Sequence, residues 1–517
     1  MRVAILKTPV VNFRNSPFGS VPGIPTNMAY LAAILRDSGH SVAIVDAYGL
    51  APHRFTPYRD RFEVRGLLPE EIVAAVPEPV DVIGLSVHCT LEHGMAISII
   101  GECRRRFPGV PVVVGGYHTT FAVEPFLEAG ADYVLQGEGE HRFPMLLSML
   151  EEGTDFSLDG IHGHGYSRER TPQVCPIEEF PFGFFDPLPL ETYWKLRYAH
   201  GPVRSDRYIS LFTSRGCPYN CAFCQTPLMW GLRWMAKSPL RIVDEMDHYN
   251  RRYGVSEFHV QDENFSLSKR RTRAFALELI RRGRKYSFCF PSGVKAETLG
   301  REELELLAKA GCYYLGISPE SASEKVLKAM NKEVDLDHVV KVVRWCNELG
   351  IGVNCNFVLG FPGEDKADRK MTYSFVRKLT RMGLDEIVTF MLTPLPGTQV
   401  ADLMPDDIEF EDINFSPTWR DNYRLISRAR LWIYLQFMVL KLLYHPGKVF
   451  RNIISVLTRR FRLKGDMTVY RFIVDLWDRY VRRVTGEDHF SDIPEITFYP
   501  PRKVESRLRE MSTNTDK

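Results

Sequence analysis

The chain has 517 residues, which is more than one small hydrophobic core can organise, so we expect two or three domains. Its 44% hydrophobic and 25% charged residues are typical of a globular protein. The net charge of +2 argues against wholesale nucleic-acid binding, and no nucleic-acid partner is expected. We find no signal peptide and no apolar run long enough to cross a membrane, so the expected location is the cytoplasm.

Residues 1–155 alternate between apolar strands and amphipathic helices. Near-continuous Val/Ile runs such as "VPVVVGG" indicate strands that are buried on both faces, and the alternation predicts an α/β domain with a doubly wound, Rossmann-like parallel sheet. Ligands bind such sheets beyond the carboxyl ends of the strands. Three segments follow strands there, and they supply the candidate ligand-binding residues Ser86, Gly115, Gly116, His118, Gly137 and Glu138. The plainer interpretation is tight turns, with His118 as a hydrogen-bonded loop imidazole.

A Pro- and aromatic-rich stretch, 156–202, is expected to be a linker. The alternation resumes over 203–412, with six apolar strands separated by helices that mostly end at glycine. Six units predict a partial (β/α)6 barrel, because eight would be needed to close it. Barrel chemistry lies at the carboxyl ends of the strands.

Three cysteines follow the first strand of this barrel, in the segment "TSRGCPYNCAFCQTP". Cys217, Cys221 and Cys224 have the spacing C-x3-C-x2-C. Structural zinc commonly takes two separated C-x-x-C pairs, and no second pair follows. A [4Fe–4S] cluster usually takes four thiolates, so three would leave one iron open to an external ligand. This pattern therefore favours a catalytic cluster, with a structural zinc site as the alternative.

This cysteine motif, with Phe223 before the last cysteine, resembles the signature of radical S-adenosylmethionine (SAM) enzymes. The resemblance implies that the open iron of a [4Fe–4S] cluster binds SAM and cleaves it to a 5′-deoxyadenosyl radical. It also implies roles at later strand ends. Asp262 and Glu263 in "QDENF" would bind the SAM amino group, and Glu320 and Ser321 in "GISPESAS" would hold its ribose or methionine part.

The N-terminal segments "PTNMAYLAAILRDSGHSVAIVDA", "VVVGGYHTT" and "DYVLQGEGE" resemble the cobalamin-binding domain that precedes the barrel of many radical SAM enzymes. One feature departs from the wider cobalamin-binding group. Cobalamin-dependent mutases carry D-x-H-x-x-G after the first strand, whereas the corresponding loop here contains no histidine. We therefore expect no cobalt ligand from that loop.

The combined resemblance implies a cobalamin-dependent radical SAM enzyme that methylates an unactivated carbon of a small-molecule or lipid-like substrate. One SAM would supply the methyl group through cobalamin and a second would supply the radical. An external one-electron reductant of the flavodoxin or ferredoxin type is the implied protein partner. Two alternatives stay open: an oxidative cyclase that transfers no methyl group, like the anaerobic cyclase of chlorophyll biosynthesis, and a non-catalytic cobalamin or iron–sulfur sensor.

The last region, 413–505, is predicted to be helical and basic, and the tail 506–517 is expected to be disordered. An apolar stripe in this region includes Trp432, Tyr434, Phe437, Leu440 and Leu443. We expect the stripe to pack on the barrel and the basic face to be solvated. The alternative is a helix that lies on a membrane surface or covers a lipid-like substrate.

Overall fold

The computed structural model describes residues 1–14, 22–154, 158–163, 166–167, 170, 175–485 and 493–503. The predicted disordered tail, 506–517, lies outside the described residues. The chain forms two compact units, one built from Met1–Tyr193 with Trp477–Lys517 and the other from Trp194–Leu476.

The first unit contains a mixed set of strands and helices in chain order. Its strands are β1 (Arg2–Lys7), β2 (Val10–Phe13), β3 (Ser41–Asp46), β4 (Phe55–Tyr58), β5 (Phe62–Arg65), β6 (Val82–Ser86), β7 (Val112–Gly115), β8 (Tyr133–Leu135), β9 (Ile161–Gly163) and β10 (Tyr166–Ser167). Its helices are α1 (Thr26–Asp37), α2 (Ala47–Leu50), α3 (Pro69–Ala74), α4 (His93–Arg106), α5 (Glu124–Glu128) and α6 (Gly139–Glu152), and α7 (Leu190–Leu196) follows at the junction with the second unit.

The main sheet of the first unit has the strand order β10-β9-β8-β7-β6-β1-β3. The strands from β3 to β8 are parallel, whereas β9 and β10 join as antiparallel strands. The parallel part is buried, as in the wholly buried strand residues Val3, Val82 and Val114. The predicted doubly wound α/β sheet is therefore confirmed, and its direction of winding reverses between β1 and β6. That reversal marks the expected ligand edge.

Two segments outside 1–155 complete this sheet. Strands β9 and β10 lie in the stretch 156–202, which therefore carries more regular structure than the expected linker. At the opposite edge, Tyr499 forms a bridge with Val42 of β3, with backbone N···O distances of 2.8 and 2.9 Å. The region 413–505 is helical as predicted over 423–485, whereas the residues around Tyr499 form no helix and pair with β3 instead.

The second unit continues the numbering. Its strands are β11 (Tyr208–Leu211), β12 (Ser214–Arg215), β13 (Met235–Ala236), β14 (Glu257–Val260), β15 (Ser287–Val294), β16 (Cys312–Glu320), β17 (Gly352–Leu359) and β18 (Glu386–Met391). Its helices are α8 (Thr226–Trp230), α9 (Pro239–Tyr253), α10 (Lys269–Arg281), α11 (Arg301–Ala310), α12 (Glu324–Ala329), α13 (Leu336–Leu349), α14 (Lys366–Arg381), α15 (Tyr423–Tyr444), α16 (Pro446–Thr458) and α17 (Lys464–Thr485), the last of which extends into the first unit.

Six parallel strands of the second unit pair in the order β11-β14-β15-β16-β17-β18. This is the predicted six-stranded partial barrel, and it is confirmed. Helix α9 shows the start and stop residues on which this prediction relied. The Ser238 hydroxyl accepts a hydrogen bond from the Arg241 N–H at the start of the helix, and Gly254 ends it with a φ of +67°.

The C-terminal helices correct one expectation. The apolar stripe of α15 does not pack as a whole on the barrel: Phe437 is buried, but the side chains of Trp432 and Leu443 are 58% and 69% exposed. The face of α15 that packs inward instead includes two cations, Arg430 and Lys441. Lys441 can be buried because its Nζ donates to the Asp385 carbonyl oxygen at 2.5 Å.

Candidate functional site

The three cysteines of the sequence motif lie in one loop between β12 and α8, beyond the carboxyl end of the first barrel strand. Their side chains are partly exposed, whereas six of the other seven cysteines are buried. Cys221 and Cys224 form one turn, in which the Cys224 N–H donates to the Cys221 carbonyl at 3.1 Å. The Thr226 N–H points at the Cys224 Sγ, 3.4 Å away. The loop therefore presents its thiols toward accessible space.

Asp262 holds the start of this loop. Its carboxylate accepts hydrogen bonds from the Thr213 N–H at 2.6 Å, the Thr213 hydroxyl at 2.5 Å and the Ser214 hydroxyl at 2.5 Å. Arg271 joins the same cluster by donating to the Thr213 carbonyl at 2.7 Å. Asp262 is 2% exposed, so both its oxygens are occupied by the loop. The role predicted for Asp262 at the SAM amino group stays a prediction, and in this structure its carboxylate holds the start of the cysteine loop.

Two further residues fix the loop. Gly216 has a φ of +79°, and a Cβ at this position would lie 2.2 Å from the Arg233 carbonyl oxygen, so only glycine fits here. Phe223 packs edge-on against Phe361, with ring centroids 6.5 Å apart, next to the buried side chains of Ala222 and Val358. Phe223 is therefore an apolar anchor that seats the loop on the end of the barrel.

Lys332 is a site residue that the sequence analysis missed. Its Nζ lies 2.7 Å from an Oε of Glu320, which ends β16 with a φ of +63°. Burial alone would lower the pKa of Lys332, but the Glu320 carboxylate raises it, so the side chain is a cation. The only sequence signal is a lysine shortly after the short helix α12, which does not reveal that Lys332 faces the cysteines.

Glu263 and Ser321 lie at the same end of the barrel. Glu263 accepts a hydrogen bond from the Gly216 N–H at 3.2 Å, and burial raises the pKa of its carboxyl group to about 7. Ser321 is 1% exposed, and its Oγ accepts a hydrogen bond from the Ser323 N–H at 3.1 Å. Glu263 therefore keeps an oxygen near the cysteine loop, whereas Ser321 is engaged in the turn that follows β16.

The cysteine loop is compatible with an iron–sulfur cluster. In the described part of the chain, no three His, Cys, Asp or Glu side chains converge on one point where a metal ion could bind. A four-iron cluster instead takes each thiolate on a different iron, so the sulfurs need not converge. Burial raises the pKa of Cys217 to about 11, and the neighbouring Cys224 and Cys221 add to the effect. The three thiols are thus close enough to influence one another electrostatically.

The ligand edge of the first unit lies where β1 and β6 end. The carboxylate of Glu92 occupies this point and accepts hydrogen bonds from Lys7 at 3.0 Å, Thr8 at 2.7 Å and the His88 N–H at 2.9 Å. The side chain of His88 is exposed, and that of Ser86 is partly exposed. This edge is therefore polar and accessible, although the strands that lead to it are buried.

Gly115 and Gly116 shape the next turn, after β7. Gly116 has a φ of +131°, and a Cβ there would lie 2.3 Å from the Val87 carbonyl oxygen, so the loops after β6 and β7 approach as only glycine allows. His118 is 3% exposed and lies 3.0 Å from the His93 ring nitrogen. Burial lowers the pKa of His118 to about 3, so its imidazole is neutral. His118 is thus buried under the ligand edge of the sheet and is not on its accessible surface.

Gly137 and Glu138 follow β8. Gly137 has a φ of +79°, and its N–H donates to the Thr120 hydroxyl at 2.9 Å. Glu138 is buried, and its carboxylate accepts a hydrogen bond from the Cys175 N–H at 2.6 Å. The glycine turns let the loops approach closely, Ser86 and His88 leave polar groups accessible at this edge, and Glu138 secures a neighbouring segment.

Family models assign both parts of the chain. Residues 20–147 match the B12 binding domain, and residues 211–376 match the radical SAM superfamily. The match to both models confirms the resemblance, the fold and the cofactor set of a [4Fe–4S] cluster, SAM and cobalamin.

Several known proteins are similar over most of the chain. An uncharacterized methyltransferase of Pyrococcus horikoshii is 28% identical over 73% of this chain and 78% of its own length. The anaerobic magnesium-protoporphyrin IX monomethyl ester cyclase of Rubrivivax gelatinosus is 26% identical over 78% of this chain and 72% of its own. The solved structure of the radical SAM methyltransferase TsrM from Kitasatospora setae, with cobalamin and a [4Fe–4S] cluster bound, shares the fold with a TM-score of 0.59 and 20% identity, covering 77% of this chain and 73% of that one.

Proposed function

We propose that this chain, a radical SAM enzyme with an N-terminal B12 binding domain, methylates an unactivated carbon of a small-molecule or lipid-like substrate. The observation that carries the proposal is the presence of two cofactor-binding ends in one chain. One is the cysteine loop at the carboxyl end of the barrel, and the other is the glycine-shaped edge of the parallel sheet. Relatives named as methyltransferases support this choice of reaction.

In the barrel, Cys217, Cys221 and Cys224 would hold the cluster by three thiolates. Bound together, the cluster and SAM would supply a 5′-deoxyadenosyl radical that takes a hydrogen atom from the substrate. Glu263 keeps an oxygen close to the loop and would accept the SAM ammonium. Glu320, paired with Lys332 at 2.7 Å, would contribute to the ribose or methionine site. Asp262 would keep the loop in place.

In the first unit, Ser86, Gly115 and Gly116 would contact cobalamin, which would supply the methyl group. The turns at Gly116 and Gly137 need positive φ, so these loops are preorganised. His118 would support the turn from below, because it is buried and pairs with His93. Glu138 would also support the site without touching cobalamin, because its carboxylate holds the Cys175 backbone N–H.

The proposal includes two further partners. A one-electron reductant of the flavodoxin or ferredoxin type would reduce the cluster, because reductive cleavage of SAM consumes an electron. The protein would work in the cytoplasm, in peripheral contact with a membrane through its C-terminal helices.

The test uses the reconstituted full chain under anaerobic, reducing conditions with SAM labelled in its methyl group. We expect 5′-deoxyadenosine to form and label to appear in the cobalamin fraction. Cys221→Ala should abolish 5′-deoxyadenosine while cobalamin still binds. Cys103→Ala, which changes a buried cysteine near the end of α4 in the other unit, away from the ligand edge, is the control and should keep both.

Two outcomes would favour other functions. Formation of 5′-deoxyadenosine without transfer of label to cobalamin would favour an oxidative cyclase, which the similarity to the Rubrivivax gelatinosus cyclase makes the second candidate. A protein that binds iron and cobalamin but forms no 5′-deoxyadenosine would be a sensor, and the enzymatic proposal would be abandoned.

A further inference from the structure

Helix α15 buries two cations against the barrel and exposes much of its apolar surface, which is the reverse of the usual amphipathic arrangement. Its inward face carries Arg430 and Lys441 among the buried side chains Ile426, Ile433 and Phe437. The Lys441 Nζ reaches the Asp385 carbonyl at 2.5 Å, so the helix is held to the barrel partly through a buried cation. A helix that only capped the barrel would direct its cations outward and its leucines inward.

The outward side of α15 and α16 is apolar. We call its most exposed side chains the apolar face, and they include Trp432, Leu435, Leu442, Phe450, Ile453 and Leu457. Leu457 is 77% exposed and Phe450 is 64% exposed, and the α16 members recur at the spacing of one helix face. Exposed apolar patches on this scale mark interaction surfaces in proteins that are otherwise well packed.

The charge of this segment identifies the partner. The stretch 422–465 contains ten Lys and Arg residues and no Asp or Glu. Arg424, Arg428, Arg451, Arg459 and Arg460 are exposed. If two copies met through this face, like charges would come together without carboxylates to neutralise them. An anionic lipid surface supplies both the negative charge and the apolar interior that the face requires.

A cavity beside α16 offers a place for a phosphate group. It has a volume of about 70 Å³, and its lining includes Arg204, Arg451 and Arg462 together with the ion pair of Lys448 and Asp385. Among the described residues, these three guanidinium groups form no ion pair with a carboxylate, and the buried Nε of Arg204 has no hydrogen-bond partner. Arginine binds phosphate through paired N–H donors, so the cavity suits a phosphate group.

From these observations we infer that the apolar face docks the protein on the surface of a bilayer that contains anionic phospholipid. No helix in the described part of the chain has an apolar stretch long enough to cross a membrane, so the contact is peripheral. Leucine, tryptophan and phenylalanine side chains would enter the acyl boundary, and arginines would meet the headgroups. The inference rests on the membrane contact of the proposed function and names the surface and lipid that make it, whatever reaction the barrel performs.

The test is co-sedimentation of the full chain with vesicles of phosphatidylcholine alone or mixed with phosphatidylglycerol. We expect binding to the mixed vesicles that weakens as salt is added. L435E combined with L442E should weaken it at least tenfold, because two apolar anchors become charged. L277E is the matched control: Leu277 is 51% exposed on α10, outside this face, and its change should leave binding intact. Arg451→Gln should reduce the preference for the anionic vesicles.

Sedimentation velocity and 5′-deoxyadenosine formation complete the experiment. The double variant should stay folded and form 5′-deoxyadenosine like the wild type, because α15 supplies none of the proposed cofactor contacts. The inference is overturned if the wild-type protein ignores both kinds of vesicle, or if the double variant and the L277E control bind equally well. It is also overturned if the wild type is a dimer that the double variant converts to a monomer without any vesicle binding.

Discussion

Asp262 accepts two hydrogen bonds from Thr213, one from its backbone N–H at 2.6 Å and one from its hydroxyl at 2.5 Å. The carboxylate at the end of the second barrel strand thereby fixes the chain that leaves the first strand. The cysteine loop begins only a few residues later, so its position depends on a side chain 49 residues away in the sequence. This connection ties the start of the cysteine loop to the second barrel strand.

Replacing Asp262 by Ala should therefore disorder the cysteine loop. The Thr213 and Ser214 donors would lose their acceptor, at a cost of about 1–3 kcal/mol for each buried group left unsatisfied. We expect the iron content after reconstitution to fall sharply while cobalamin binding is retained. Asp365→Ala removes an exposed carboxylate that caps α14 and is the control. If iron content is the same in both variants, Asp262 does not anchor the loop.

Gly216 and Gly363 offer a matched pair, because both have a φ of +79°. A Cβ on Gly216 would lie 2.2 Å from a backbone carbonyl oxygen, whereas nothing lies within 4 Å of a Cβ on Gly363. Both alanine variants share the cost of an unfavourable φ, about 1–2 kcal/mol, and only Gly216→Ala adds a clash. Chemical unfolding and iron content should show the larger loss for Gly216→Ala; equal losses would mean that the loop moves freely.

Gly116 makes the corresponding prediction for the first unit. Gly116→Ala would bring a methyl group to 2.3 Å from the Val87 carbonyl oxygen and so push apart the two loops at the ligand edge. We expect cobalamin affinity, measured by absorbance titration, to drop at least tenfold with iron content unchanged. Gly109 also has a positive φ, of +85°, but has open space around it, so Gly109→Ala should bind cobalamin normally. A normal affinity for Gly116→Ala would place cobalamin elsewhere.

Lys332 should affect how the cluster assembles at different pH values. Burial raises the pKa of the Cys221 thiol, and the Lys332 cation opposes that rise. Thiols bind iron as thiolates, so assembly should speed up as pH increases. Lys332→Gln removes the cation, and its assembly profile should shift to higher pH. Lys332→Arg keeps the charge and should follow the wild type. An unshifted profile for Lys332→Gln, followed by iron–sulfur absorbance, would show that Lys332 has no electrostatic role at the loop.

Local patterns were sufficient to predict the barrel and the parallel sheet. Strands such as β1 and β7 contain continuous apolar runs because both of their faces are buried, and helices of the barrel end at glycines such as Gly254. The role of Asp262 could not be read in the same way, since its partners lie on a different strand. The proximity of Lys332 to Cys221 likewise depends on how β16 and α12 return the chain to the loop.

The C-terminal helices show a second limit of prediction from sequence, which concerns the orientation of a helix. Periodicity reveals that α15 has an apolar side, but it does not reveal which side meets the barrel. The orientation depends on acceptors such as the Asp385 carbonyl, which can satisfy a buried lysine. A buried cation with a hydrogen-bond partner is tolerated, so the expected order of apolar inside and charged outside did not apply here.

The bridge between Tyr499 and Val42 has a consequence for the order of synthesis. The edge strand β3 leaves the ribosome early, but the residues that cover it arrive only after the whole barrel has been made. Until then, the rim of the first sheet presents free backbone groups to other nascent chains. The Arg36 side chain, which binds the Pro500 carbonyl at 2.7 Å, would fasten that late segment in place. The cobalamin domain thus reaches its final form last, although its first strand begins the chain.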